Sequence, residues 1–242
     1  MATLMLCKRA FFICAVPRVG SYLLCDLLQH TGVAGNPNEY PEHNGEGVRG
    51  DFSGFRDHRS YFLHFAHRLS VTSNGIFSAK MMFEQMASFA SDVSRYKSID
   101  GGGMMETIEL AFGKPRYIQI LRKDRERQAV SFVRAAQTGA WTLSQASDGP
   151  SEYDPSQLER GRDFLMQKET AWNEALKNID ATRRMTLYYE DLLKNMENTV
   201  STLLRWLEIA DPPRPFAPPS IKPQSDPTSE DWLNAWRSTP ER

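Results

Sequence analysis

The sequence predicts an α/β fold of three layers, with a central, mostly parallel sheet flanked by helices. Three observations lead there. Short continuous apolar runs recur along the chain, as expected of strands buried on both faces. Helical segments alternate with them, the order that βαβ units require. The 242 residues are enough to bury a full core, and a single domain over 1–242 accounts for them.

The elements follow in order. "FFICAV" (11–16) is the first buried strand. A helix is predicted over 20–31, with Leu23, Leu24, Leu27 and Leu28 on one stripe. Gly32 and Gly35 end it, and Pro37 and Pro41 bracket a loop. Residues 42–60 read as polar, glycine-rich and irregular, and 60–72 as helical. "GIFSAKMMF" (75–83) is a second buried strand. "PRYIQILR" (115–122) is a third, opened by a proline, which a strand's first residue tolerates. Residues 124–137 form an amphipathic helix, 141–156 a loop and 157–178 a long helix. "RRMTLYYEDL" (183–192) is the fourth strand, followed by a helix over 195–208. Seven prolines keep 211–227 extended or in coil, and a short helix over 229–237 closes the chain.

Composition narrows the function. Hydrophobic residues make up 40% and charged residues 24%, with a net charge of -1. No global field advertises nucleic acid or an anionic membrane, so an anion site must be a local cluster of cations. No stretch reaches the ~20 apolar residues of a membrane span. Cys7, Cys14 and Cys25 have neither zinc spacing nor the even count of a disulfide framework, and read as reduced core thiols of a cytoplasmic protein. The first apolar run is broken by Lys8 and Arg9, unlike a signal peptide. His64 and His67 share a helix face without a third ligand, so no metal is expected.

Chemistry concentrates in "AVPRVGSY" (15–22), the turn between the first strand and its helix. In open parallel sheets ligands sit beyond the carboxyl ends of the strands. The helix N-terminus there favours anions. Arg18 adds a forked cation, Gly20 lets the backbone approach closely, and Ser21 offers a hydroxyl. The sequence lacks the lysine of a Walker A loop, and Tyr22 cannot replace it. Arg122 ends the third strand and Ser131 follows on the next helix. Two strand ends thus supply two anion grips, which suits a ligand with phosphate-type groups at both ends better than ATP. Read separately, each grip is equally a surface arginine beside a helix start.

Four stretches carry a resemblance: 17–40 ("PRVGSYLLCDLLQHTGVAGNPNEY"), 75–83, 121–141 ("LRKDRERQAVSFVRAAQTGAW") and 187–207 ("LYYEDLLKNMENTVSTLLRWL"), joined by "KPQSDPTSEDW" (222–232). In this order they resemble the PAPS-dependent sulfotransferases, most closely the bacterial trehalose 2-sulfotransferase type; PAPS is 3′-phosphoadenosine 5′-phosphosulfate. The resemblance implies a P-loop-like version of the three-layer fold. It implies that Arg18, Gly20, Ser21 and Tyr22 line the loop for the 5′-phosphosulfate. Arg18 stands where cytosolic relatives carry the lysine of "PKSGT". Arg122 and Ser131 correspond to the 3′-phosphate pair, nine residues apart rather than eight. Tyr189 of "YYED" lies near the adenine, and Lys222 and Gln224 close over the nucleotide from the tail, although Pro223 replaces an expected basic residue. The histidine base of cytosolic relatives is replaced by Met82. Glu39 of "NPNEY" matches the carboxylate base of the trehalose type, in a loop free to swing over the transferring group. Lys80 is placed to stabilise the sulfuryl group or the leaving phosphate; its plain reading is a core-edge lysine snorkelling to water.

The implied reaction moves a sulfuryl group from PAPS to a hydroxyl of a carbohydrate, glycolipid or small metabolite, without metal. Residues 41–60 shape the acceptor side, so trehalose does not follow from the resemblance. Trp141, Arg134 and Gln137 are candidates for the acceptor wall or a dimer contact, and relatives that pair leave a homodimer open. Two other readings stay open: a kinase-like P-loop phosphotransferase, and a non-catalytic nucleotide-binding protein of the same fold.

Overall fold

The computed structural model describes residues 8–39, 71–97, 102–141, 145, 149–209, 212, 215–221 and 226–238. The predicted loop over 42–60, most of the predicted helix 60–72, both His64 and His67, and Cys7, Lys222 and Gln224 lie outside them.

Four strands form one sheet: β1 (Arg9–Cys14), β2 (Ile76–Met81), β3 (Arg116–Leu121) and β4 (Arg184–Tyr188), in the order β2-β1-β3-β4. Every pairing between them is parallel. β1 is central and fully covered beyond Arg9, while β4 is an edge strand of alternating exposure. Phe12 is in register with Tyr117 and Ala79, and its ring meets Phe77, Phe89, Phe112 and Tyr117 at centroid distances of 5.9, 6.3, 5.3 and 6.0 Å. Aromatic packing at these separations fixes which helices cover that face.

Eight helices are described: α1 (Ser21–His30), α2 (Phe83–Lys97), α3 (Met104–Phe112), α4 (Arg125–Thr138), α5 (Pro155–Leu176), α6 (Tyr189–Lys194), α7 (Met196–Trp206) and α8 (Pro227–Arg237). Asp124, Asp154 and Asp226 cap α4, α5 and α8, and Pro155 and Pro227 stand where a missing N–H costs nothing.

Three differences from the sequence reading have local causes. α2 and α3 occupy a stretch to which that reading assigns no element. The fourth strand stops at Tyr188, because Glu190 and Asp191 favour the first turn of a helix and Glu190 accepts from the Lys123 and Asp124 amides. Val71 is not helical: it forms an antiparallel bridge to Phe77 on the outer edge of β2.

The proline-rich tail is tied down at both described ends. Asp26 of α1 accepts from the Ser220 amide at 2.8 Å and its hydroxyl at 2.5 Å. Beyond it, Trp232, Leu233 and Trp236 of α8 pack with Ala129, Val130 and Val133 of α4. Arg134 holds Asp226 and Ser229, and Arg127 holds Glu230.

Candidate active site

The site gathers at the carboxyl ends of β1, β2 and β3. The turn after β1 is bent by two left-handed residues, Arg18 at φ 65° and Gly20 at φ 79°. Gly20 is needed twice over. Its backbone favours glycine, and a Cβ there would stand 2.1 Å from Cδ2 of Tyr189. The turn is also held from α4, where buried Gln128 donates to the Pro17 carbonyl at 2.9 Å.

Arg18 and Arg122 form the cationic half. Arg18 donates through Nε to Ser131 Oγ at 2.8 Å and through Nη1 to the Trp141 carbonyl at 2.6 Å. Arg122 donates through Nη1 to the Arg18 carbonyl at 3.1 Å, and its guanidinium lies 5.1 Å from the centroid of the Tyr189 ring. Its Nε is buried without a partner among the described residues. Burial disfavours the charge on both arginines, and the neighbouring Arg122 disfavours that of Arg18 further. Two guanidiniums under mutual repulsion, one with an orphaned donor, are relieved by an anion between them.

Glu39 organises the other half. It bridges in parallel to Lys80, and the Lys80 amide donates to the Asn38 carbonyl at 2.9 Å, so residues 38–39 extend the sheet beyond β2. Its carboxylate accepts from three side chains on three elements. Tyr22 Oη of α1 reaches Oε2 at 2.8 Å, Lys80 Nζ of β2 ion-pairs with the same oxygen, and Gln85 Nε2 of α2 reaches Oε1 at 2.6 Å. Burial pushes the carboxyl up, but the charge of Lys80 and the hydrogen bonds of Lys80, Gln85 and Tyr22 outweigh it and hold Glu39 below the usual carboxylate range.

Lys80 is 0% exposed. It therefore does not snorkel; its ammonium pairs with Glu39 and sits 3.8 Å above the Tyr22 ring centroid. Cys25 lies close enough to feel both charges, and burial pushes its thiol up to about 12. It stays protonated and inert at neutral pH.

Of the residues singled out from sequence, the structure brings Arg18, Gly20, Arg122, Ser131 and Tyr189 into one cluster and Tyr22, Glu39 and Lys80 into another. Ser21 is buried as the first residue of α1 between them. Ser131 on α4 accepts from Arg18, while the hydrogen bond described for Arg122 goes to the Arg18 carbonyl. Trp141 reaches the site by its backbone, whereas Arg134 serves α8 and Gln137 binds Glu152 and Gln157. Sequence reasoning missed Gln85 and Gln128. Gln85 stands three residues after Met82 at a helix start, the spacing of a capping box.

Comparison with known proteins bears on the family and the fold. Two relatives, each 26% identical, are trehalose 2-sulfotransferases, from Mycolicibacterium smegmatis (96% of this chain and 96% of the relative) and Mycobacterium tuberculosis (95% of each). Among solved structures, the sulfotransferase domain from the curacin biosynthetic pathway superposes with a TM-score of 0.51 at 17% identity, over 85% of this chain and 75% of that domain. The likeness bears on the fold, a parallel sheet flanked by helices. The Stf0 sulphotransferase profile matches residues 10–239, from the start of β1 to the end of α8, and the chain belongs to that family.

Proposed function

We propose that the protein transfers a sulfuryl group from PAPS to a hydroxyl of a sugar, glycolipid or small metabolite. The observation that carries this reading is the opposed pair Arg18 and Arg122, half-buried at the ends of β1 and β3, with the Arg122 Nε unpartnered among the described residues. Such a pair suits a donor that is anionic at two places. The sugar acceptor is supported by the activity of the two mycobacterial relatives.

In this reading Arg18, the Gly20 turn and the N-terminus of α1 take the 5′-phosphosulfate. Arg122 and Ser131 take the 3′-phosphate, with Tyr189 beside the adenine and Lys222 and Gln224 closing from the tail. The bond between sulfur and the bridging oxygen breaks while a bond from sulfur to the acceptor oxygen forms. Negative charge grows on the bridging oxygen, where Arg18 is aimed. The acceptor's proton passes to Glu39. Lys80 keeps Glu39 ionised and oriented, and no metal takes part. The reading includes a reducing cytoplasmic setting, in keeping with the buried free thiols Cys14 and Cys25, and a homodimer, which light scattering would detect.

The test is calorimetric titration with 3′-phosphoadenosine 5′-phosphate, followed by labelled PAPS against a panel of sugars and glycolipids. Arg18→Ala should abolish transfer and weaken nucleotide binding. Glu39→Gln should bind nucleotide normally and lose most turnover. Tenfold tighter binding of ATP than of the bisphosphate would overturn the reading.

A further inference from the structure

We infer that Gln85 is a positioning residue that fixes the orientation and basicity of Glu39 through a single carboxamide locked between a helix cap and the base. The inference rests on the proposed role of Glu39 and names a determinant of it outside the motifs that carry the family resemblance.

The geometry leaves the amide little choice. Gln85 is the third residue of α2, and Met82 precedes its first. The Gln85 Oε1 accepts from the Met82 amide at 2.8 Å, the reach-back half of a capping box. That bond turns the other end of the amide, Nε2, toward Glu39, where it donates to Oε1 at 2.6 Å. A flip would set Oε1 against a carboxylate oxygen and Nε2 against an N–H, losing both bonds.

Glutamine is therefore chosen over glutamate for a reason that capping does not supply. A glutamate at 85 would cap α2 equally well, and a negative charge there is favoured by the helix N-terminus. It would also place a second carboxylate against Glu39. Among the described residues the groups facing Glu39 are Tyr22 from α1, Lys80 from β2 and Gln85 from α2, with the Cys25 thiol close by; Glu84, next to Gln85, is turned to Lys168. Lys80 and Tyr22 both act on Oε2, so Gln85 alone among them holds Oε1.

The isosteric variant Gln85→Glu separates positioning from capping. Helix content should stay near wild type, and the melting temperature should fall only by the few degrees that the like charge costs. The acidic limb of the kcat/KM profile should move up by about one pH unit or more, as a like charge demands, while binding of 3′-phosphoadenosine 5′-phosphate changes less than twofold. Gln85→Ala should lower kcat about tenfold or more while nucleotide Kd again changes less than twofold, and Gln85→Glu/Glu39→Gln should show no acidic limb from this pair. An unchanged pH profile and kcat in Gln85→Glu, with a lowered melting temperature in Gln85→Ala, means that Gln85 only caps the helix, and the inference fails. Full activity of Glu39→Gln is a different result, and it removes the base itself.

Discussion

Gly20→Ala puts the construction of the anion turn to a quantitative test. Alanine at φ 79° carries the strain of a left-handed residue, about 1–2 kcal/mol. It also drives a methyl group to 2.1 Å from Cδ2 and 2.5 Å from Cε2 of Tyr189. Carbon atoms pack at about 3.5–4.0 Å, so the ring must retreat by roughly 1.5 Å. That retreat takes it from its place 5.1 Å below the Arg122 guanidinium, an interaction of about 0.5–2 kcal/mol. The total is about 1.5–4 kcal/mol.

Gly113→Ala is the internal control. Gly113 ends α3 at φ 66° with nothing within 4 Å of a new Cβ, so it reports strain alone. Thermal unfolding should show a fall of about 3–6 °C for Gly113→Ala and roughly twice that for Gly20→Ala. Calorimetry should show at least tenfold weaker nucleotide binding for Gly20→Ala only. In a Tyr189→Ala background the two alanines should cost the same, a coupling of about 1–2 kcal/mol. Equal melting temperatures for the two single variants, with wild-type nucleotide affinity for Gly20→Ala, would refute the close-approach argument.

Two further predictions address the other half of the site and the tail. Lys80→Met removes the buried counter-ion, so the Glu39 carboxyl should rise, the acidic limb of activity should move up, and stability should fall by about 2–3 kcal/mol, below the full cost of breaking a buried pair because Glu39 keeps Tyr22, Gln85 and some solvent. The folded carboxyl is depressed, so its stabilisation is complete above the ordinary carboxylate pKa and is lost as pH falls through the folded value; urea unfolding of wild type and Glu39→Gln should differ most above the ordinary carboxylate range and converge as pH falls below it. Arg134→Ala releases Asp226 and Ser229, and amides of 227–237 should exchange faster than those of α4 by about tenfold, measured by hydrogen exchange.

What the sequence displayed and what it hid follow from range. The strand–turn–helix around Arg18, Gly20 and Ser21 was legible because the three are neighbours and the punctuation surrounds them. Arg122 and Ser131 were legible through one helix. The burial of Lys80 was not, because it depends on Glu39 joining β2 across 41 residues of sequence. A lysine one residue from a strand's end looks like a snorkelling side chain until a carboxylate is brought over it. α2 and α3 were hidden for another reason: "FEQMASFASDVSRYK" mixes serines into its apolar stripe, and "GGG" at 101–103 reads as a break rather than a helix entrance. The tail of "RRMTLYYEDL" is apolar and aromatic enough for a strand, and only the acidic pair at the next helix start decides against it.

The first turn of α1 joins two halves with opposite electrostatic economies. On one side Arg18 and Arg122 press like charges together away from water, so folding bears a cost that a bound anion relieves. On the other, Glu39 and Lys80 neutralise each other, and Tyr22 and Gln85 complete their hydrogen bonding before any ligand arrives. In the proposed function, stability and anion binding pull against each other at the end of β1, and stability and carboxylate placement pull together at the end of β2. Tyr22, two residues after Gly20 in the first turn of α1, commits its hydroxyl to Glu39 and its ring face to Lys80. In the proposed function, an anion held by Arg18 and a hydroxyl held by Glu39 would meet across Tyr22, and the fixed placement of the carboxylate is what would orient that hydroxyl.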